Sequence, residues 1–217
     1  MIPFIGPSGL PVRKYQIVCA AQHRCVREAE VAGMNVIKTH LPEVLIIEPK
    51  LFGDQRGFFL ETYQFERYAQ SGIARPFVQD NLSRSRHGVL RGLHLQNPFT
   101  LGKLVSALRG RVLDVAVDVR VGSPNFGRHV AVELSEDNRR QLWVPRGFAH
   151  GFAVLSETAD FFYKCDALYS PKDEISIRWN DPAIGIDWGL ADPSLSPKDA
   201  DAPLLADMKN LPRYGEI

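Results

Sequence analysis

The sequence predicts an all-β fold, a sandwich or barrel of short strands with a few short helices. Three observations carry this. Short apolar, β-branched runs recur between residues 44 and 164, the signature of strands. Turn signals separate them: Arg109-Gly110, Gly122-Ser123-Pro124, Glu136-Asp137-Asn138, Pro145-Arg146-Gly147 and Ser170-Pro171. The chain has 217 residues, enough for one domain with a sizeable buried core.

Residues 1–33 stand apart. Pro3, Gly6, Pro7, Gly9 and Pro11 interrupt any regular element. Arg13, Lys14, Arg24 and Arg27 are basic, and residues 1–27 hold no acidic residue. The apolar run 17–21 is too short for a secretory core. The segment is also poor in serine for a transit peptide. It is expected to be a disordered extension, or translation begun upstream of a start at Met34, with the domain over 34–217.

From Met34 onward, strands are expected at 44–47, 103–105, 112–119, 129–134, 141–145, 151–155 and 159–164. The stretch 112–119 alternates in part and places Asp114 and Asp118 on one face. Short helices are expected over 63–69 and 198–206. No repeat or low-complexity tract is present.

A formal net charge of +1 gives no reason to expect nucleic acid or an anionic membrane as partner. No run of about 18 apolar residues suggests a membrane span. Three cysteines, Cys19, Cys25 and Cys165, are too few and odd in number for a disulfide framework. They suit a reducing compartment, the cytoplasm.

Several segments could carry chemistry. In Arg91-Gly92-Leu93-His94, strand geometry would point Arg91 and His94 to opposite faces. They share a cavity only through a twist or bulge, which Gly92 permits. His94 reads either as a hydrogen-bonded core residue or as a general base, because its reference pKa lies near neutrality. His150, between apolar residues in Phe148-Ala149-His150-Gly151-Phe152, raises the question of a metal site. No histidine two residues from His94 and no nearby glutamate completes such a set, so a metal-free site ranks first. Arg56, in Asp54-Gln55-Arg56-Gly57, is either a solvated turn residue or a phosphate clamp. Gln79-Asp80-Asn81 is either a hydrogen-bonded loop or a recognition segment for sugar hydroxyls or a base. Tyr163 is most simply a core aromatic, and Tyr169 could stack on a base at a strand end.

Read together and in order, GDQRGFFLE, FVQDNLSRS, GVLRGLH, GKLV, DVAVDVR, SPNFG, NRRQLWVPRGFAHGF, FFYK, YSP, WNDPAIGIDW and SPKDADAPLL resemble the dTDP-4-dehydrorhamnose 3,5-epimerase family. The resemblance runs over about 34–206, and Met34-Asn35-Val36-Ile37-Lys38-Thr39 looks like a family start. It implies a jelly-roll, cupin-like fold, a homodimer, and no metal or other cofactor. It implies His94 as base, Asp199 as the carboxylate holding that base, Tyr163 as acid and Lys103 beside the keto oxygen. Arg91 and His150 would line the reacting sugar. Arg56, Glu61, Gln79, Asn81, Glu174 and Lys198 would contact the nucleotide or its phosphates, and Tyr169 would stack on thymine. Leu82 and Leu168 depart from the family pattern, where histidine and tyrosine respectively are common.

The implied activity is epimerisation of a nucleotide-linked 4-keto-6-deoxyhexose at the two carbons flanking the ketone. The competing readings are an epimerase that inverts one carbon, a cupin metalloenzyme such as a dioxygenase, and a non-catalytic sugar-binding module.

Overall fold

A computed structural model describes residues 28–31 and 33–217. The expectation for residues 1–27 lies outside these. Glu28–Val31 (β1) pairs antiparallel with Met34–Lys38 (β2), so the sheet reaches back into the segment ahead of Met34.

Twelve further strands follow: β3 Leu45–Pro49, β4 Leu51–Asp54, β5 Gly57–Leu60, β6 Gln79–Arg86, β7 Leu90–Gln96, β8 Lys103–Arg109, β9 Arg111–Asp118, β10 His129–Ser135, β11 Gln141–Val144, β12 Phe148–Val154, β13 Thr158–Cys165 and β14 Glu174–Ser176. Seven strands form one sheet in the order β1-β2-β3-β11-β8-β13-β6, and five form a second in the order β10-β9-β12-β7-β14. Strand neighbours in both sheets run antiparallel. The crossovers make a jelly-roll, cupin-like sandwich, as the family resemblance implies.

The core lies between the sheets. Ile46, Val105, Leu142, Val144 and Phe161 from the larger sheet meet Val112, Ala116, Val132, Phe148 and Phe152 from the smaller. Burial of such apolar surface, at about 25 cal/mol per Å², is the main force holding the sandwich. The outer face of the smaller sheet is also covered. Val115, Val117 and Val119 pack there against Ile177, Ile184, Trp188 and Leu205 from the C-terminal segment. On the outer face of the larger sheet, Tyr68 and Ile73 cover Leu45, Ile47, Leu104 and Trp143. Both faces of β9 are therefore buried. The Asp114/Asp118 face points inward with Val112 and Ala116, and each carboxylate has a cationic or imidazole partner.

Helices differ in extent from the sequence expectation. Phe65–Gln70 (α1) starts where the Gln64 side chain accepts from the Arg67 N–H at 2.7 Å and buries Tyr68. The second, Pro197–Ala200 (α2), is one turn rather than a run to 206, with a separate 3-10 turn at Leu205–Asp207. Pro203 explains the break: it lacks an N–H and disfavours helical backbone at the residue before it.

Candidate active site

Two adjoining hollows, of about 330 and about 500 Å³, share His94, Lys103 and Tyr163 in their walls. His94 comes from β7 in the five-stranded sheet; Lys103 and Tyr163 come from β8 and β13 in the seven-stranded sheet. The base and acid expected from the sequence thus face one cavity from opposite walls.

A bulge puts Arg91 and His94 on the same wall. From Arg91 to His94 β7 advances three residues while β12 advances two, from Phe152 to His150. The extra residue reverses the side-chain alternation, so both side chains line the larger hollow. Gly92 makes this fit. Its φ is +117°, and a Cβ there would lie 2.6 Å from the Gly151 Cα.

His94 Nε2 lies 2.5 Å from Asp199 Oδ1. An ionised carboxylate only accepts, so the ring proton belongs on Nε2 and Nδ1 is left as the basic nitrogen. Asp199 is held by the N-cap of α2. Ser196 is the N-cap, Pro197 fills the first turn, and the Asp199 N–H donates to Ser196 Oγ at 3.2 Å while that hydroxyl donates back to Asp199 Oδ2 at 2.9 Å. Burial pushes the Asp199 carboxyl up, but the His94 hydrogen bond, Ser196 and the Lys198 charge outweigh it, and its pKa lies below the usual value. Asp199 therefore stays ionised at neutral pH.

Burial draws the Lys103 ammonium below the ordinary lysine range, against the opposing pull of Cys165, Asp114 and Glu174. Gly102 anchors it from behind: its N–H donates to Asp166 Oδ1 at 2.7 Å, and Arg146 Nε holds Asp166 Oδ2 at 2.9 Å. Burial pushes the Tyr163 phenol up, which keeps its proton on at neutral pH. His150 Nε2 lies 3.0 Å from Asp114 Oδ2; burial lowers its pKa against Asp114's attraction.

The nucleotide-contact candidates divide. Gln79, Asn81, Tyr169 and Glu174 line the smaller hollow; Lys198 lines the larger, together with Asp199 and with Arg91 and His150, the residues expected to line the reacting sugar. Glu174 Oε2 joins the two groups, accepting from Tyr169 Oη at 2.9 Å and from Lys198 Nζ at 2.7 Å. Burial raises the Glu174 carboxyl, but these donors bring it net below the usual range. Arg91 Nη2 donates to Ser85 Oγ at 3.1 Å. Arg56 and Glu61 are not brought to either hollow of their own chain. Arg56 sits at the β4–β5 turn, 90% exposed and bonded to Asp54, and Glu61 pairs with Arg67 at 2.6 Å.

Sequence reasoning assigned no role to Asp114, Ser196 or Asp166. The available signal was a carboxylate amid Val, Leu and Ala for Asp114, and a Ser-Pro-x-Asp cap for Ser196. Cys165 also lines the smaller hollow, with its thiol pushed up to about 11 by burial against the charge of Lys103. Among the described residues no group of three or more His, Cys, Asp or Glu gathers as a metal-ligand set. Among the same residues no helix is long and apolar enough to cross a membrane.

The profile of the dTDP-4-dehydrorhamnose 3,5-epimerase family matches residues 38–207. The enzyme of that name from Salmonella typhimurium is 57% identical over 79% of this chain and 96% of its own. A crystal structure of a dTDP-6-deoxy-D-glucose-3,5-epimerase from Legionella pneumophila, in complex with dTDP-4-keto-L-rhamnose, is 57% identical, with a TM-score of 0.82 over 83% of this chain and 98% of that one. A 3'-monoepimerase from Streptomyces bikiniensis, in complex with dTDP-quinovose, is 33% identical, with a TM-score of 0.77 over 82% of this chain and 92% of that one. Fold, cavity and sequence agree, and the chain belongs to the dTDP-4-dehydrorhamnose 3,5-epimerase family.

Proposed function

We propose that the chain inverts carbons 3 and 5 of dTDP-4-dehydro-6-deoxy-D-glucose to give dTDP-4-dehydro-L-rhamnose, as a cytoplasmic homodimer that uses no metal, in dTDP-L-rhamnose biosynthesis. The observation that carries the reading is His94 and Tyr163 facing one hollow from opposite sheets, with Lys103 lining the same hollow from the strand beside Tyr163.

Both reacting carbons flank the ketone. Removing a proton from either leaves an enolate whose charge rests on the ketone oxygen. His94 takes the proton on Nδ1 while Asp199 stabilises the imidazolium. Lys103 meets the oxyanion in a partly dehydrated site, where a fixed positive charge acts strongly. Inversion requires the new proton on the opposite face, and Tyr163, or water it orders, supplies it from the other sheet. Solvent then returns the proton to Tyr163 and takes the one on His94. Nucleotide contacts at the smaller hollow hold the sugar at the base and turn binding energy into positioning.

Incubation with dTDP-4-dehydro-6-deoxy-D-glucose in heavy water, followed by proton NMR, tests the reading. Deuterium at carbons 3 and 5 with inversion at both supports it; inversion at one carbon identifies a single-carbon epimerase. With Tyr163→Phe, proton loss is expected to continue while inversion slows by about 10²-fold or more, the usual scale for a positioned acid. Equal loss of both steps assigns Tyr163 to binding instead.

The β4–β5 hairpin supports the homodimer. Leu51, Phe52, Phe58 and Phe59 stand 47%, 54%, 59% and 69% exposed, and Phe52 lies directly opposite Phe59. Covering the exposed part of each such side chain is favourable by about 25 cal/mol per Å² of apolar surface. A second copy seated on the hairpin also offers Arg56 and Glu61 a nucleotide site beyond their own chain. The double change Phe52→Asp and Phe59→Asp is expected to give monomers by analytical ultracentrifugation. A wild-type protein that sediments as a monomer overturns the dimer.

A further inference from the structure

Gln96 lies two residues beyond the base on the same strand, is 4% exposed, and borders the smaller hollow. Its amide brackets Tyr169. Oε1 accepts from the Ser170 N–H at 2.8 Å, and Nε2 donates to the Leu168 carbonyl at 3.4 Å, one residue to either side. The same Nε2 donates to the Phe99 carbonyl at 2.9 Å and so seats the facing loop. Gln79 Oε1 accepts the N–H of Tyr169 itself at 2.9 Å. Three successive residues at the rim are thus tied to two glutamine side chains.

Two further bonds hold the rim from its far side: Tyr169 Oη donates to Glu174 Oε2 at 2.9 Å and Ser170 Oγ to Asp173 Oδ2 at 2.5 Å. Leu168 and Tyr169 are 67% and 49% exposed, and Phe99 is 63% exposed. An exposed loop with few apolar contacts samples many conformations unless its backbone is bonded. Both donor hydrogens and the acceptor of the Gln96 amide are engaged by backbone, so its role toward a ligand runs through the loop.

We propose that Gln96 is a positioning residue that holds Tyr169 as a pre-set platform for the nucleotide base. This rests on the proposed nucleotide-sugar reading for what occupies the hollow. Pre-ordering the loop lowers the entropy lost on binding, so its benefit falls on affinity. Lys103 is anchored separately through Gly102 and Asp166, which keeps the chemical step apart from this clamp.

The test uses Gln96→Leu, which removes all three bonds, and Gln96→Glu, which keeps the acceptor for Ser170 but loses both donors. Calorimetric titration with dTDP is expected to show affinity falling about tenfold for Gln96→Leu and by no less for Gln96→Glu, whose second carboxylate oxygen would face the Leu168 and Phe99 carbonyls instead of donating to them. KM for the nucleotide sugar rises in parallel while kcat stays within about threefold, the pattern of lost uniform binding. In a Tyr169→Ala background, Gln96→Leu is expected to add no further loss. Wild-type dTDP affinity in both variants, a fall in kcat at unchanged KM, or a full additional loss in the Tyr169→Ala background overturns the proposal. Should Gln96→Leu fail to fold, Gln96→Glu carries the same comparison. Wild-type protein that does not bind dTDP overturns the underlying nucleotide reading, a result distinct from any of these.

Discussion

Replacing His94 with alanine is expected to abolish deuterium incorporation at both carbons 3 and 5 while dTDP binding is little changed. The argument is chemical. A proton on carbon beside a ketone is a weak acid; of the two histidines lining the larger hollow with one nitrogen held against a carboxylate, His94 and His150, His94 is the one that also lines the smaller hollow. Its Nε2 bond to Asp199 at 2.5 Å fixes the tautomer and leaves Nδ1 to act. Removing a positioned base costs about 10²–10⁴ in rate. Asp199→Asn is a companion test, because an amide can donate to Nε2 and favour the wrong tautomer, a change that reaches about 10⁴ in a comparable His–carboxylate pair. His150 is the alternative base. It is buried, and its Nε2 faces the fully buried Asp114. Retained exchange at both carbons in His94→Ala would transfer the role to His150.

Lys103→Ala is expected to lower kcat by about 10²–10³, the usual effect of losing one oxyanion donor. Substrate affinity should change less, since the charge it meets develops only as the enolate forms. Lys103→Arg is expected to recover little, because a planar guanidinium does not reproduce a compact ammonium in a closed wall. The pH profile supplies a second measurement. Burial lowers the Lys103 pKa, so the ammonium loses its proton at a lower pH than an ordinary lysine. Activity should therefore decline on the alkaline side before the normal lysine range is reached. In Lys103→Ala that limb should disappear. An unchanged alkaline limb in the variant would show that another group, such as Tyr163, produces it.

How far the site was legible depended on the residue. His94, Lys103 and Tyr163 lie in short apolar segments with distinct motifs, and each lines the shared cavity. The strands β8 to β13 were readable because apolar runs and intervening turns mark half-buried or buried strands. The polar strand β6 was not, since Gln79-Asp80-Asn81-Leu82-Ser83-Arg84-Ser85-Arg86 has one apolar residue and gains its conformation from the ladder to β13. The hairpin β4–β5 was likewise read as a turn alone, because its exposed strands carry no burial pattern of their own.

By itself the sequence determined the all-β class, the family motifs and the residue types available for proton transfer, because these follow from local periodicity and side-chain chemistry. Tertiary structure decided which of those residues meet. It placed Asp199 against His94 across 105 positions of chain, turned Arg91 and His94 to one wall through a one-residue bulge, and left Arg56 and Glu61 away from the hollows. Such outcomes rest on strand register and on contacts between distant segments. A single-residue shift in register reverses every side chain that follows, and no local property of the sequence encodes it.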